Sequence, residues 1–170
     1  MPATYEPIAS TTLGSAAATI SFSNIPGIYT DLIVVLFTGT THGDNEVMQL
    51  TFNSDTGNSY SMTRLYGNGS SAVSDRFSSQ TSIDAGFMPQ TNPGTCIINV
   101  MSYANTNVNK TCLISAETIN STNTSANRRI VIREVGLWRS TAAITSMTFD
   151  FASGNFQSGS TASLFGVKAA

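Results

Sequence analysis

Apolar residues in this chain recur at every second position over short stretches, and clusters of Gly, Asn and Ser separate the stretches. In EVMQLTF, Met48, Leu50 and Phe52 alternate with Gln49 and Thr51. After NSDTGNS, Tyr60, Met62, Arg64 and Tyr66 alternate with Ser61, Thr63 and Leu65. A side-chain period of two puts successive residues on opposite faces of a β-strand. With turn formers between them, these two runs predict a hairpin. A second hairpin is predicted around NTNVN, between TCIINVM and KTCLISAE. Ile20 with Phe22, then Ile83, Ala85 and Phe87, then Met147, Phe149 and Phe151, mark further strands with one apolar face. DLIVVLF is apolar throughout and predicts a strand buried on both faces. RIVIREVGLW is rich in β-branched residues, and TASLFGVKAA closes the chain. GNGSSAVSDRFSSQ and NSTNTSANRR read as polar connectors.

No stretch carries a helical pattern of useful length. Eight or so short strands with turn signals between them predict an all-β fold, a single antiparallel β-sandwich of jelly-roll-like form. Residues 13–170 make one domain, and no long repeat divides it. Residues 1–12, MPATYEPIASTT, read as an extended N-terminal arm, because Pro2 and Pro7 each remove an amide donor and favour extended backbone before them. Such an arm packs on its own domain or adds to a neighbour's sheet edge.

Composition narrows the partners. The chain has 170 residues, enough to bury a core without metals or disulfides. Only 11% are charged and the net charge is −2, while roughly a third are Ser, Thr or Asn, above ordinary usage. Nucleic acid is not an expected partner, since phosphate binding needs clustered Lys and Arg. The nearest approach to a basic patch, Arg128, Arg129 and Arg133, flanks a strand. A secretory signal is not expected at the start, nor a membrane span. Cys96 and Cys112 flank the second predicted hairpin and are expected as reduced core thiols in a protein made in a cytosol.

Candidate chemistry is sparse. Asp55–Thr56–Gly57 matches the aspartic-protease triplet, but that site needs two carboxylates sharing a proton, and NSDTGNS is a turn sequence. His42, the only histidine, lies near Asp44 and Glu46; without a second His or paired Cys this reads as a solvated loop rather than a zinc site. One histidine and no nucleophile-elbow spacing argue against a serine hydrolase. Asn68, Asn109, Asn120 and Asn123 satisfy the glycosylation sequon, as Asn/Ser/Thr-rich sequence does by chance. YGNG, at residues 66–69, follows a strand and opens no helix, so it is a turn and not a phosphate cradle. Tyr60, Tyr66 and Trp138 are candidates for glycan contact, although such aromatics are more often core or corner residues. The carboxylates Asp31, Asp44, Glu46, Asp55, Asp75, Asp84, Glu117, Glu134 and Asp150 are scattered, and none stands out as a catalytic pair. No catalytic residue, cofactor or metal is expected.

Four stretches resemble one family. YEPI (residues 5–8), TRLYGNGSSA (63–72), GLWRSTAAITS (136–146) and LFGVKAA (164–170) are similar, in this order, to small β-rich structural proteins of tailed bacteriophages, of the cyanophage and marine-phage type. SFSNIPGIYTDL also resembles that family's second strand and turn. The resemblance implies a non-enzymatic virion component assembled in the bacterial host cytoplasm, either a capsid decoration (cement) protein or a tail-fibre piece. It implies contacts with the major capsid protein or other virion proteins and with copies of itself. A homo-oligomer is expected, a trimer at local three-fold positions. The other reading is a receptor- or glycan-binding adhesion module. Tyr5, Glu6, Pro7 and Ile8 of the arm are the expected partner contacts. Trp138 and Arg139 are the expected structural corner, the Trp plugging one end of the core and the Arg, with Ser140, satisfying backbone groups before the last strand pair.

Overall fold

The computed structural model describes residues 4–43, 46–90, 93–119 and 129–168. Their strands are β1 (Tyr5–Thr12), β2 (Thr19–Phe22), β3 (Asp31–Thr38), β4 (Glu46–Phe52), β5 (Tyr60–Gly67), β6 (Ala72–Gln80), β7 (Ile83–Met88), β8 (Gly94–Met101), β9 (Lys110–Ile119), β10 (Arg129–Trp138), β11 (Met147–Phe151) and β12 (Thr161–Val167). All pairings are antiparallel and build two sheets, in the orders β1-β12-β3-β8-β9-β10-β5-β6 and β2-β11-β4-β7. The chain passes repeatedly from one sheet to the other in jelly-roll fashion, and no helix occurs among the described residues. The fold is the all-β antiparallel sandwich that the alternation predicts.

Each strand turns one face inward. Leu32, Val34 and Leu36 of β3 and Ile98 and Val100 of β8 meet Met48 and Leu50 of β4 and Met147 and Phe149 of β11 across the interior, all fully buried. Burying each such side chain contributes about 1.5–3 kcal/mol. Close approach of the two sheets requires glycine at Gly86, whose φ is +106° and where a Cβ would overlap that of Ala116. Cys96 and Cys112 both lie in this interior as free thiols. In the ladder Cys112 opposes Val100 and Cys96 opposes Ala116. Burial pushes both thiols up, so neither is a reactive thiolate.

Three sequence expectations change. The runs forming β4 and β5 alternate as predicted but do not pair: β4 lies between β11 and β7, and β5 between β10 and β6. Asn53 and Ser54 take left-handed φ values of 51° and 57°, and residues 53–59 carry the chain from one sheet to the other. The alternation arises because both strands face the same interior. The run AVSDRFSSQ, which reads as a loop, is β6, the edge strand opposite β1, and the hairpin lies between β5 and β6. In its turn the Asn68 side chain accepts from the backbone amides of Ser70 and Ser71. DLIVVLFT is buried on one face only, since Ile33 and Val35 are half-buried and Phe37 is exposed. The connector NSTNTSANRR lies outside the described residues up to Arg129.

The expected arm is also a strand of the domain. β1 pairs with β12 from Tyr5↔Val167 to Thr12↔Thr161, with a bulge between Pro7 and Ala9. Ile8 packs against the core. Glu6 pairs with Lys168 Nζ at 2.7 Å and accepts from Tyr29 Oη at 3.2 Å, and both contacts hold its carboxyl below the usual range. Deleting residues 1–12 is therefore expected to remove a sheet edge rather than release a tail. Stability should fall by at least about 2 kcal/mol, roughly 4–8 °C in Tm for a chain of this size. Calorimetry of the deletion variant checks this; a melt unchanged from the parent would return these residues to a free arm.

Candidate interaction surface

The Trp138 corner is built from both sheets. The alternation of β10 turns Trp138 inward at its end, where it is 2% exposed. Its ring lies 5.6 Å from Phe52 and 6.4 Å, stacked, from Tyr60. Its Nε1–H donates to Asp55 Oδ2 at 2.7 Å, while the Gly57 amide donates to Asp55 Oδ1 at 2.8 Å. These donors, the indole first, hold the Asp55 carboxyl below its usual range. Asp55 of the DTG triplet thus anchors a turn. Arg139 donates to the carbonyls of Asn58 and Tyr60 and to Ser61 Oγ, and the Ser140 hydroxyl accepts from the Ala142 amide.

Lys110, which sequence reasoning passes over, is fully buried nearby. Its ammonium donates to the carbonyls of Asn105, Val108 and Thr141 at 2.6, 2.7 and 3.1 Å. It pins the β8–β9 turn to the segment after Trp138.

Three of the scattered carboxylates come together around Arg64. Its guanidinium donates to Asp75 and Asp84 at 3.1 Å each. It lies 5.1–5.5 Å from the ring centroids of Tyr66, Phe77 and Phe87, a cation–π arrangement. Glu134 opposes Arg64 in the β10–β5 ladder and is 3% exposed. Neither of its oxygens, nor Arg64 Nε, has a hydrogen-bond partner among the described residues. Burial first, then the Asp84 charge, push Glu134 up to about 9. Burial likewise raises Asp84 against the pull of Arg64. The cluster lies between the sheets, with Glu134 facing inward. Its chemistry is that of a buried acid kept neutral.

The outward faces of the two sheets differ. On the four-stranded sheet the outward residues of β2, β4 and β11 are mostly polar, Thr19, Ser21, Gln49, Thr51, Thr148 and Asp150, with Val47 apolar among them. On the eight-stranded sheet the ladder aligns Ile33, Asn99, Leu113, Val135 and Thr63 in one row and Val35, Ile97, Ser115, Arg133 and Leu65 in the next. Leu65, Val131 and Val135 are 59%, 53% and 49% exposed, and Phe37, Ile97 and Leu113 are also exposed. A depression of about 370 Å³ opens between Leu65, Leu113, Arg133 and Val135. Exposed apolar side chains gathered on one face mark a candidate interaction surface. Tyr5 and Pro7, both exposed, continue the same face through their partners Val167 and Phe165. Glu6 and Ile8 alternate to the other side. The signal for this surface is present in the sequence: Leu113, Val131 and Val135 are apolar where the strand period calls for polar residues.

The remaining candidates are dispersed. His42 Nδ1 lies 3.6 Å from Glu46 in an exposed turn, and Asp44 lies outside the described residues. No group of His, Cys, Asp and Glu among the described residues is placed to hold a metal ion. Tyr60 and Trp138 are interior and so present no glycan platform; Tyr66 is half-buried against Phe87. The sequons at Asn120 and Asn123 lie outside the described residues.

No family model matches the chain, and no curated protein matches it. Among solved structures, a galectin from Caenorhabditis elegans is 9% identical, over 94% of this chain and 96% of its own, with a TM-score of 0.37. An engineered glycoside hydrolase with endo-xylanase and exo-arabinofuranosidase activity is 12% identical over 90% of this chain and 33% of its own, with a TM-score of 0.33. β-Agarase B from Zobellia galactanivorans is 7% identical over 87% of this chain and 69% of its own, with a TM-score of 0.27. At these values neither ligand nor activity passes from those proteins to this one.

Proposed function

We propose that this chain is a structural component of a tailed-phage virion, a decoration or cement protein that stabilises the head shell through many copies of a modest protein–protein contact. The observation that carries this reading is the broad, apolar and sparsely charged outer face of the eight-stranded sheet. A protein that meets neighbours at fixed angles needs such a face, and an enzyme working on a soluble substrate does not. The ordered resemblance of four sequence stretches to phage structural proteins supports the same reading. So does the placement of the Arg64 cluster inside the sandwich rather than on an open face. Binding energy at each contact is small, and repetition over a shell multiplies it.

An adhesion module at a tail tip is the alternative. It requires exposed aromatic side chains on which sugars stack; the candidates Tyr60 and Trp138 lie inside the fold, and Tyr5 and Phe37 are exposed aromatics it could use. The decoration reading predicts that gradient-purified virions contain the chain in numbers comparable to the major capsid protein, measured by quantitative mass spectrometry. A few copies per particle would favour the tail reading, and particles without it would end both.

A further inference from the structure

We infer that the outer face of the eight-stranded sheet is a two-fold self-association surface, on which a second copy of this chain packs face to face with Arg133 of each copy against Glu117 of the other. The inference rests on the multi-copy reading above and names its contact. Arg133 and Glu117 project from neighbouring strands on this face. The ladder pairs Arg133 with Ser115 and Glu117 with Val131, so the two charges stand diagonally, one row apart. Both are exposed, and neither has an ion-pair partner among the described residues. A two-fold axis in the plane between them carries each charge over its opposite in the second copy. Arg133 and Glu117, adjacent near the middle of a face whose other charges, Arg76 and Asp31, lie farther out, are then self-complementary, as an isologous interface requires.

The area fits. Eight strands at about 4.8 Å spacing span roughly 38 Å, and three rows of outward residues about 20 Å, so the face offers about 770 Å². A standard interface uses about 800 Å² per partner. The sheet edges are less suited to association. β1 carries Pro7 and a bulge at its centre, and β6 carries Asp75, Arg76 and a register shift opposite Tyr60/Ser61. Proline, charge and bulges are the devices that block edge-to-edge pairing. The two-fold contact differs from the three-fold association expected from the sequence, and sedimentation distinguishes the two.

The test is sedimentation of the purified chain from about 1 to 100 μM, a range that spans typical dimer constants. The expected result is a reversible dimer. Arg133→Glu and Glu117→Arg should each weaken it at least tenfold, and the doubly exchanged chain should return to within about threefold of the parent, as direct coupling of the pair requires. Leu113→Asp, at an exposed position, should dissociate the dimer while leaving the thermal melt of the monomer near that of the parent. A monomer throughout the range, a trimer, or a dimer indifferent to these changes would overturn the inference. So would single variants that weaken it with no recovery in the double. A chain that is monomeric alone yet needs Leu113 to bind phage shells would assign the face to the shell protein instead, overturning self-association while leaving the virion reading in place. A charge-dependent dimer absent from particles would do the reverse.

Discussion

Replacing Trp138 with alanine is expected to lower the stability of the domain by about 3–5 kcal/mol, the range for truncating a buried aromatic residue. For a chain of this size that is roughly 6–20 °C in Tm. The indole closes one end of the sandwich against Phe52 and Tyr60, so truncation opens a cavity bounded by both sheets. It also removes the donor that fixes Asp55. Trp138→Phe isolates the donor more nearly, because it keeps an aromatic ring in the corner and loses the N–H with only part of the indole volume. It is expected to lower stability by about 1–2 kcal/mol, the consequence of leaving one acceptor unmet. Arg139→Ala, at an exposed position, should change stability by at most about 1 kcal/mol. Urea unfolding of the three variants checks the order. A Trp138→Ala protein that unfolds with the parent would mean that the indole faces solvent, and the glycan-binding alternative would gain one of its candidate aromatics.

Glu134 is expected to make the domain less stable as pH rises across neutrality. Its carboxyl titrates near 4.5 in the ordinary case and at about 9 in the fold. Between these values the unfolded chain has released the proton and the folded chain retains it, so unfolding releases a proton and stability falls with increasing pH. The slope from one such group approaches about 1.4 kcal/mol per pH unit. Asp84 and Asp150, also raised by burial, act in the same direction. Asp55, lowered by its donors, acts oppositely: its contribution is present above its unfolded value and is lost as pH falls through its folded one. Greatest stability is therefore expected at mildly acidic pH. Glu134→Gln keeps the shape and cannot ionise, so it should flatten the decline between about pH 5.5 and 8.5 and be more stable than the parent at the upper end. Chemical denaturation at both pH values tests this, and identical slopes for the two proteins would show that Glu134 is not held neutral. Arg64 explains the asymmetry in the cluster: both ends of its guanidinium are taken by Asp75 and Asp84, and the third carboxylate is left without a hydrogen bond.

Inward and outward faces are readable from the sequence wherever a strand has a single buried side. Met48, Leu50, Phe52, Met147, Phe149 and Phe151 all lie where their period places them. Pairing is readable only across a short turn, as in the hairpin around NTNVN, which forms as β8–β9; elsewhere alternation reports which side faces the core and is silent about the neighbouring strand. The β4 and β5 runs look like a hairpin for that reason, though Asn53 and Ser54 turn the chain across to the other sheet. β6 is hidden by its serines, since an edge strand has little apolar surface to bury. The Arg64 cluster draws on β5, β6, β7 and β10, and no local spacing links residues brought together by sheet order. Lys110 looks like an ordinary hairpin lysine; only the loop carbonyls folded over it make it an interior residue. The outer face is half visible, because DLIVVLF reads as buried on both sides when its second side is the one left open.

The most direct test of the virion reading is electron microscopy of purified particles labelled with an antibody against this chain. The account predicts dense label distributed over the head. Label confined to the tail tip, or absent from intact particles, would contradict it.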